Sequence, residues 1–437
     1  MSNRLRVSIL GLNYAPEPTG IAPYTTGMAH FLADAGHDVQ VVTGLPHYPH
    51  WRVAEGFRSG TTEMDGDVRV TRVAHPVPEN PTGKSRILME AAFARNAMRA
   101  VQARPDVVLA VSPALLTVGA ALRWKSTGRT AVGVITQDLY GRAIAETGCL
   151  GGRGARAADK LERSLLGRAD GVVAIHESFR RSLVGLGVQQ DRITTIRNWT
   201  HLKGTTGDPA ALRRELGWRD GEIVALHAGN MGAKQGLENV IEAARLAEQQ
   251  NLPVRFVLLG TGNQRAHLEN LGRGISTLQF LDPLPGDKFQ TAMSAADVLV
   301  LNEKPGVEEM CVPSKLTSYF ASGRPVVAAT SPKSAATSEV EVSGGGMCVA
   351  PGSAQDLLGA VLALGANQEE GLAMGLRGQL FARDALAEEA ARTAYCGWVE
   401  HLAERVLGPS IPTQRTFARR RSTRSAVVPA PLVRDRA

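Results

Sequence analysis

The sequence predicts an α/β protein of two doubly wound domains that open onto a shared cleft. Three observations carry this. Short apolar runs alternate with amphipathic stretches through the first half, the alternation restarts after a polar, glycine-rich stretch near residue 200, and glycines follow several of the apolar runs. Strands that alternate with helices in this way are buried on both faces of a parallel sheet.

In chain order, the first half gives "RVSILGL", "IAPYTTGMAHFLADAG" and "HDVQVVTG", then "PDVVLAV", "TAVGVIT" and "GVVAIHE". "LADAGHDVQVVT" places a glycine just past a helix and a β-branched strand after it. "NWTHLKGTTGDPAALRRELG" is polar and glycine-rich and reads as the hinge. The second half gives "EIVALHAG", "NVIEAARLAEQQ", "VRFVLLGTG", "NQRAHLENLG", "STLQFLD", "DKFQTAMSAADVLVLN" and "RPVVAAT". The expected units are residues 1–200, residues 201–383, a helical region 384–408 that returns to the first domain, and a basic, disordered tail 409–437.

At 437 residues and 43% hydrophobic content, the chain has room for two globular domains. Its net charge of +7 is unevenly spread: residues 1–200 carry +7, residues 201–408 carry −6 and the tail +6. Cys149, Cys311, Cys348 and Cys396 are too dispersed for a zinc set or a disulfide scaffold, which points to reduced thiols and a cytoplasmic setting. The opening "MSNRLRVSILGLNYAPEP" has too short an apolar run for a secretory signal. "VVLAVSPALLTVGAAL", broken by Ser112 and Pro113, is too short for a membrane span of about 20 residues. Basic residues are not interleaved with aromatics, so nucleic acid is not an expected partner.

Chemistry is expected where strands end. "GNMGAKQGLENVIEAARL", from Gly229 to Leu246, is either a tight strand-to-helix connection or a phosphate cradle, in which glycines let the backbone approach an anion at a helix N-terminus. "NYAPEPTGIAPYTTGMAHFL" is a second such loop, and "VLLGTGNQRAHLENL" a third, with Gly260 and Gly262. A dinucleotide fingerprint would need glycine at position 265, which holds Arg265, so nicotinamide binding is disfavoured. In "VEEMCVPSKLTSYFASGRPVVAA", Ser314 is the expected N-cap of a helix. Lys315 falls in its first turn, where the dipole disfavours a cation and a bound anion would explain it. Glu308 and Glu309, just upstream, offer carboxylates to sugar hydroxyls.

"GNMGAKQGLENVIEAA", "VLLGTG", "LQFLDPLPGDKFQTAMSAADVLVLN" and "VPSKLTSYFASGRPVVAA" come in an order and spacing that resembles the family 4 glycosyltransferases of GT-B fold. "LNYAPEPTGIAPYTTGMAHFLADAGHDVQVVTGLPHYPHW" resembles the branch that builds colanic acid and related surface polysaccharides. The resemblance covers nearly all of residues 5–405. It implies an acceptor-side first domain, a nucleotide-sugar-binding second domain and a transferase that retains anomeric configuration without a bound metal or other cofactor. The expected partners are a nucleotide sugar and a carbohydrate or lipid-linked acceptor.

The resemblance also implies residue roles. The donor diphosphate would lie against Gly20, the loop Gly229, Asn230, Lys234 and Gln235, the turn at Gly262, and the backbone N–H groups of Ser314 and Lys315. Asn230 and Gln235 stand where the family usually places cations, and Lys234 lies one residue early. The nucleobase would meet the segment holding Leu281 and Leu284. The family's paired glutamates fall at Met310 and Ser318, so Ser318 is left to bind a ribose hydroxyl and Glu308 or Glu309 to take over the sugar contact. Asp138, in "VITQDLYG", would orient the acceptor hydroxyl or take its proton, and a structural loop aspartate is an equal reading. "HYPHW", His47 to Trp51, reads as loop packing or acceptor contact, and "DGD" at Asp65 to Asp67 as a turn.

Two other functions share the architecture, a sugar-nucleotide epimerase and a non-catalytic sugar-nucleotide-binding subunit. The transferase is favoured. Its basic first half and arginine tail fit peripheral contact with acidic lipid at the inner membrane face, and equally an ordinary solvated surface.

Overall fold

The computed structural model describes residues 4–408 apart from 19, 80–82, 102, 127, 140–150, 201–206 and 307–313. The basic tail therefore lies outside the described residues. The first sheet holds β1 (Arg6–Leu10), β2 (Asp38–Thr43), β3 (Thr62–Asp65), β4 (Val68–Arg72), β5 (Val107–Ser112), β6 (Ala131–Thr136), β7 (Gly171–Ala174) and β8 (Ile193–Thr195). Their order is β3-β4-β2-β1-β5-β6-β7-β8. All pair in parallel except β3, which forms an antiparallel edge hairpin with β4 through the "DGD" turn.

The second sheet holds β9 (Ile223–Ala228), β10 (Val254–Leu259), β11 (Leu278–Leu281), β12 (Val298–Asn302), β13 (Val326–Ala329) and β14 (Gly346–Val349). Its order is β11-β10-β9-β12-β13-β14, parallel throughout. The central strands are runs such as "VVLAVS" and "VLVLN" with every residue buried, because helices cover both faces of each sheet. Each sheet accordingly has a core cluster on either side.

Two segments correct the sequence expectation. The stretch read as the hinge contains a helix, Pro209–Glu215, because the Asp208 carboxylate caps it by accepting from Ala210 N and Ala211 N at 2.9 and 3.2 Å. The C-terminal helical region is also not continuous from residue 384. One helix, Gln368–Ala385, ends on the second domain, and another, Glu388–Leu407, begins on the first. Between them Leu386 stays buried in the second core, while its carbonyl accepts from Thr200 N at 2.9 Å. Beyond that crossing, Tyr395, Trp398, Val399 and Leu402 complete the core of the first sheet.

Candidate functional site

In the first sheet the strand order reverses between β1 and β5, and in the second between β9 and β12. In open α/β sheets the crevice at the carboxyl ends of such strands is where ligands bind. The loops that carry most of the expected site residues leave from those ends.

After β9 the chain turns at Gly229, whose φ of +127° is one that L side chains avoid. A Cβ there would also sit 2.8 Å from Lys315 Cε. Gly260, at the end of β10, has φ +135°, and a Cβ on it would run into Gly229 O. Gly262 faces the Met231 backbone in the same way. The two glycine loops are thus packed on each other, which gives Gly262 a structural reason of its own.

The first loop is pinned from β12. Asn302 Nδ2 donates to Gln235 O and Gly236 O at 2.8 and 2.9 Å, and Lys304 N donates to Lys234 O at 2.8 Å. Gln235 Oε1 accepts from Gly232 N at 3.0 Å, so this side chain braces its own turn. The Lys234 side chain is exposed.

The helix Ser314–Ala321 starts at Ser314 itself, one residue earlier than an N-cap there would allow. Lys315 Nζ donates to Asn230 O at 3.3 Å, which closes the helix onto the glycine loop. Burial pulls the Lys315 ammonium down to about 8, against the upward pull of Glu303. Burial pushes the Glu303 carboxyl up to about 7, and Lys315 and a hydrogen bond with Ser334 hold it back. One turn along the helix, Tyr319 Oη accepts from Ala228 N at 2.9 Å and so ties the helix to β9. Ser318 lies half-buried beside it. Within β9, burial and then Lys315 drive the imidazole of His227 well below its usual range.

Leu281 ends β11, and both Leu281 and Leu284 are half-buried against the second core. Arg265 stands where a dinucleotide fold would need glycine. It donates to Gly260 O at 2.6 Å and Leu281 O at 3.2 Å and pairs with Asp282 at 2.9 Å, so it braces the ends of β10 and β11.

On the first domain, the Glu17 carboxylate is buried and accepts from Asn13 Nδ2, His47 N and Tyr48 N, each at 2.8 Å. It joins the "NYAPEP" loop to "HYPHW", and the Tyr48 ring lies beside exposed Gly20. His47 stacks edge-on with His75 at 5.0 Å and packs on Trp51 at 5.7 Å, and the Arg86 guanidinium lies over Trp51 at 5.6 Å. Asp138 follows β6, and its Oδ1 accepts from Leu139 N at 2.9 Å. Burial raises its carboxyl to about 6, while that N–H, Lys234 and Arg86 pull it back. Lys234 is near enough to act on Asp138, so loops of the two domains face one cleft.

Glu308 and Glu309 lie outside the described residues. Glu303, Asn302 and Tyr319 were not identified from the sequence. The available signal for Glu303 was a charged residue immediately after an apolar strand, "VLVLNEK". Among the described residues, no group of three His, Cys, Asp or Glu side chains is placed to hold a metal ion, and no helix is long and apolar enough to cross a membrane.

Residues 19–199 match the glycosyl transferase 4-like domain, and residues 222–367 match the glycosyl transferases group 1 family. The chain is 33% identical to WcaI of Escherichia coli K12, which carries the name of a colanic acid biosynthesis glycosyl transferase, over 73% of this chain and 82% of that one. Among solved structures, sucrose-phosphate synthase from Thermosynechococcus elongatus superposes with a TM-score of 0.68 at 16% identity, covering 89% of this chain and 97% of that one. Anabaena HepE in complex with UDP-glucose gives 0.62 at 16% identity, covering 90% and 99%. At such identities the superpositions establish the fold alone.

Proposed function

The chain belongs to the family 4 glycosyltransferases of GT-B fold, and from that membership we propose that it moves a hexose from a nucleotide sugar to a carbohydrate or lipid-linked acceptor in surface-polysaccharide biosynthesis. The epimerase and the non-catalytic subunit give way to a transferase. One observation supports the donor site most strongly: Lys315 lies half-buried against the glycine loop after β9, in the first turn of the helix that closes over that loop, and donates to Asn230 O.

A nucleotide sugar already carries a good leaving group. The protein's task is to stabilise the departing diphosphate and to hold the acceptor oxygen in line. In this reading Lys315, exposed Lys234 and the first N–H groups of the helix Ser314–Ala321 supply positive charge along the diphosphate. Gly229 and Gly20 let the backbone approach it, and Leu281 and Leu284 flank the base. Gly262 supports the first loop from behind. Ser318 serves the ribose, and Glu308 or Glu309 the transferred sugar.

Asp138 faces this charge from the first domain. With its carboxyl raised to about 6, it is mostly ionised at neutral pH yet still basic enough to take a proton from an acceptor hydroxyl. We assign the charge compensation to the chain's own cations and propose that transfer is metal-independent and retaining. The acceptor would approach the basic first domain, and peripheral contact with acidic lipid would hold the enzyme near a lipid-linked acceptor.

NMR of the glycoside product tests this reading. With EDTA present, the anomeric configuration of the donor should persist in the product. Inversion, or loss of activity on chelation, would overturn the retaining, metal-independent assignment.

A further inference from the structure

The helix Gln368–Ala385 lies on the second domain with its small residues inward and its large ones outward. Gly371, Gly375, Gly378 and Ala382 are buried, while Leu372, Leu376 and Leu380 stand 56%, 54% and 40% exposed. An amphipathic helix ordinarily turns its large apolar side chains to the core. Close approach forces the reverse here. A Cβ on Gly375 would run into Gly323 O, one on Gly371 would lie 2.9 Å from Leu364 O, and one on Gly378 3.0 Å from the Phe320 ring. The helix cannot roll to bury its leucines without driving their side chains into these neighbours.

Spacing of i, i+4 and i+8 sets the three leucines along one ridge of the helix surface. A single exposed leucine is ordinary, but three in line form a contiguous apolar strip, the mark of an association surface. Val342, also exposed, belongs to the helix Ala335–Ser343, whose end is tied to this one by Arg377 Nε donating to Gly344 O at 2.9 Å.

The charges around the strip decide what fits it. Exposed Glu369 and Glu370 stand at its start, Arg377 in its middle, and Arg383 and Asp384 at its end. Carboxylates outnumber the arginines, which does not suit acidic lipid. The pattern does suit a copy of itself. Leu376 is near the middle of the 18 residues, and a two-fold axis through it runs the helix antiparallel to its mate. Leu372 then meets the mate's Leu380, Glu369 meets the mate's Arg383, and each pair occurs twice, as an isologous contact requires. Arg383 spends Nε and Nη2 on Asp384, at 2.7 and 3.2 Å, which leaves its Nη1 donors for Glu369 of the mate.

We propose that the chain associates with a second copy of itself through this face, with the leucine strip at the centre of a two-fold dimer and the Glu369–Arg383 pairs at its two ends. One helix face is smaller than the roughly 800 Å² per partner of a standard interface, so the affinity should be micromolar.

Sedimentation velocity of the full chain from roughly 1 to 100 μM tests this. The wild type should pass from monomer to dimer over that range. Leu376→Glu places two carboxylates on the axis and should weaken association by at least about tenfold, while melting with the wild-type monomer because the position is exposed. Glu369→Arg sets like charges opposite each other at both ends, as does Arg383→Glu, and each should shift the chain to monomer. Mixed in equal amounts, these two variants can form a heterodimer in which both ends again pair opposite charges, and the dimer should return. That recovery separates a specific contact from damage to the fold. A wild type that stays monomeric throughout, a dimer that persists in Leu376→Glu, or a mixture that stays monomeric would overturn the proposal.

Discussion

His176 Nε2 lies 2.7 Å from Glu339 Oε1, with both side chains buried, and this pair joins a strand-end loop of the first domain to a helix of the second. His176 Nδ1 accepts from Ser178 N at 3.0 Å, so the ring proton sits on Nε2, the nitrogen nearest the carboxylate. Arg197 Nε donates to the same oxygen at 3.2 Å. Removing the carboxylate with Glu339→Ala leaves an imidazole and a guanidinium facing a void. That should cost on the order of 3–5 kcal/mol, read as a lower midpoint in urea unfolding.

The same pair has a pH signature. Burial raises the Glu339 carboxyl, but His176 and Arg197 beside it outweigh that and leave the group below its ordinary 4.5. A depressed carboxyl contributes stability that is fully present above its unfolded value and is lost as pH falls through the folded one. Melting temperatures of the wild type and Glu339→Gln should therefore converge as the pH drops below about 4.5. A difference that stays constant down to acid pH would show that the carboxylate's charge is not what holds the domains together.

Lys315→Ala should weaken donor binding by roughly 10- to 100-fold, the loss of one charge-assisted contact to a phosphate. The variant should melt close to the wild type, because Lys315 is half-exposed and its hydrogen bond to Asn230 O is long. Isothermal titration with a nucleotide sugar and a thermal melt check the two halves. Unchanged donor affinity would remove the phosphate assignment.

Asp138→Asn separates stability from turnover. The folded carboxyl titrates at about 6 against 3.8 for the free group, so the folded state loses stability as the pH climbs between those values. The two-unit rise corresponds to about 3 kcal/mol as an upper figure. At pH 7.5 the asparagine variant should melt higher than the wild type and turn over about a hundredfold more slowly with donor affinity unchanged. If turnover is unaffected, Asp138 is a loop aspartate and the proton has another acceptor.

Gly260→Ala tests the packed loops. The new methyl group would meet Gly229 O at a φ that alanine resists, so both loops must shift. Stability should fall by roughly 1–3 kcal/mol, and donor affinity should fall with it even though residue 260 need not touch the donor. Preserved affinity at reduced stability would show that the Gly229 loop keeps its shape without Gly260.

The strands, the two-domain division and the glycine loops were legible because their signals are local: apolar runs bounded by glycine, and a lysine placed against a helix dipole. Glu303 was not, because its surroundings depend on β12 ending beside a helix that starts twelve residues later. Gln235 stands at a position usually filled by a cation, yet its amide is spent on Gly232 N, a contact that only the folded turn reveals. The glycines of "VLLGTG" gave the turn but not its purpose, since Gly260 and Gly262 meet another loop. The break at Leu386 was hidden because both flanking segments have helical character, and only the two cores decide where each one docks.

The central claim is that the cleft transfers a sugar from a nucleotide donor. Release of nucleoside diphosphate from UDP-, GDP-, ADP- and dTDP-linked hexoses, measured with and without a membrane extract of lipid-linked oligosaccharides, tests it most directly. The account predicts release with at least one donor that rises when acceptor is added and is largely lost in Lys315→Ala. Release that ignores the acceptor with every donor, or no release at all, would contradict it.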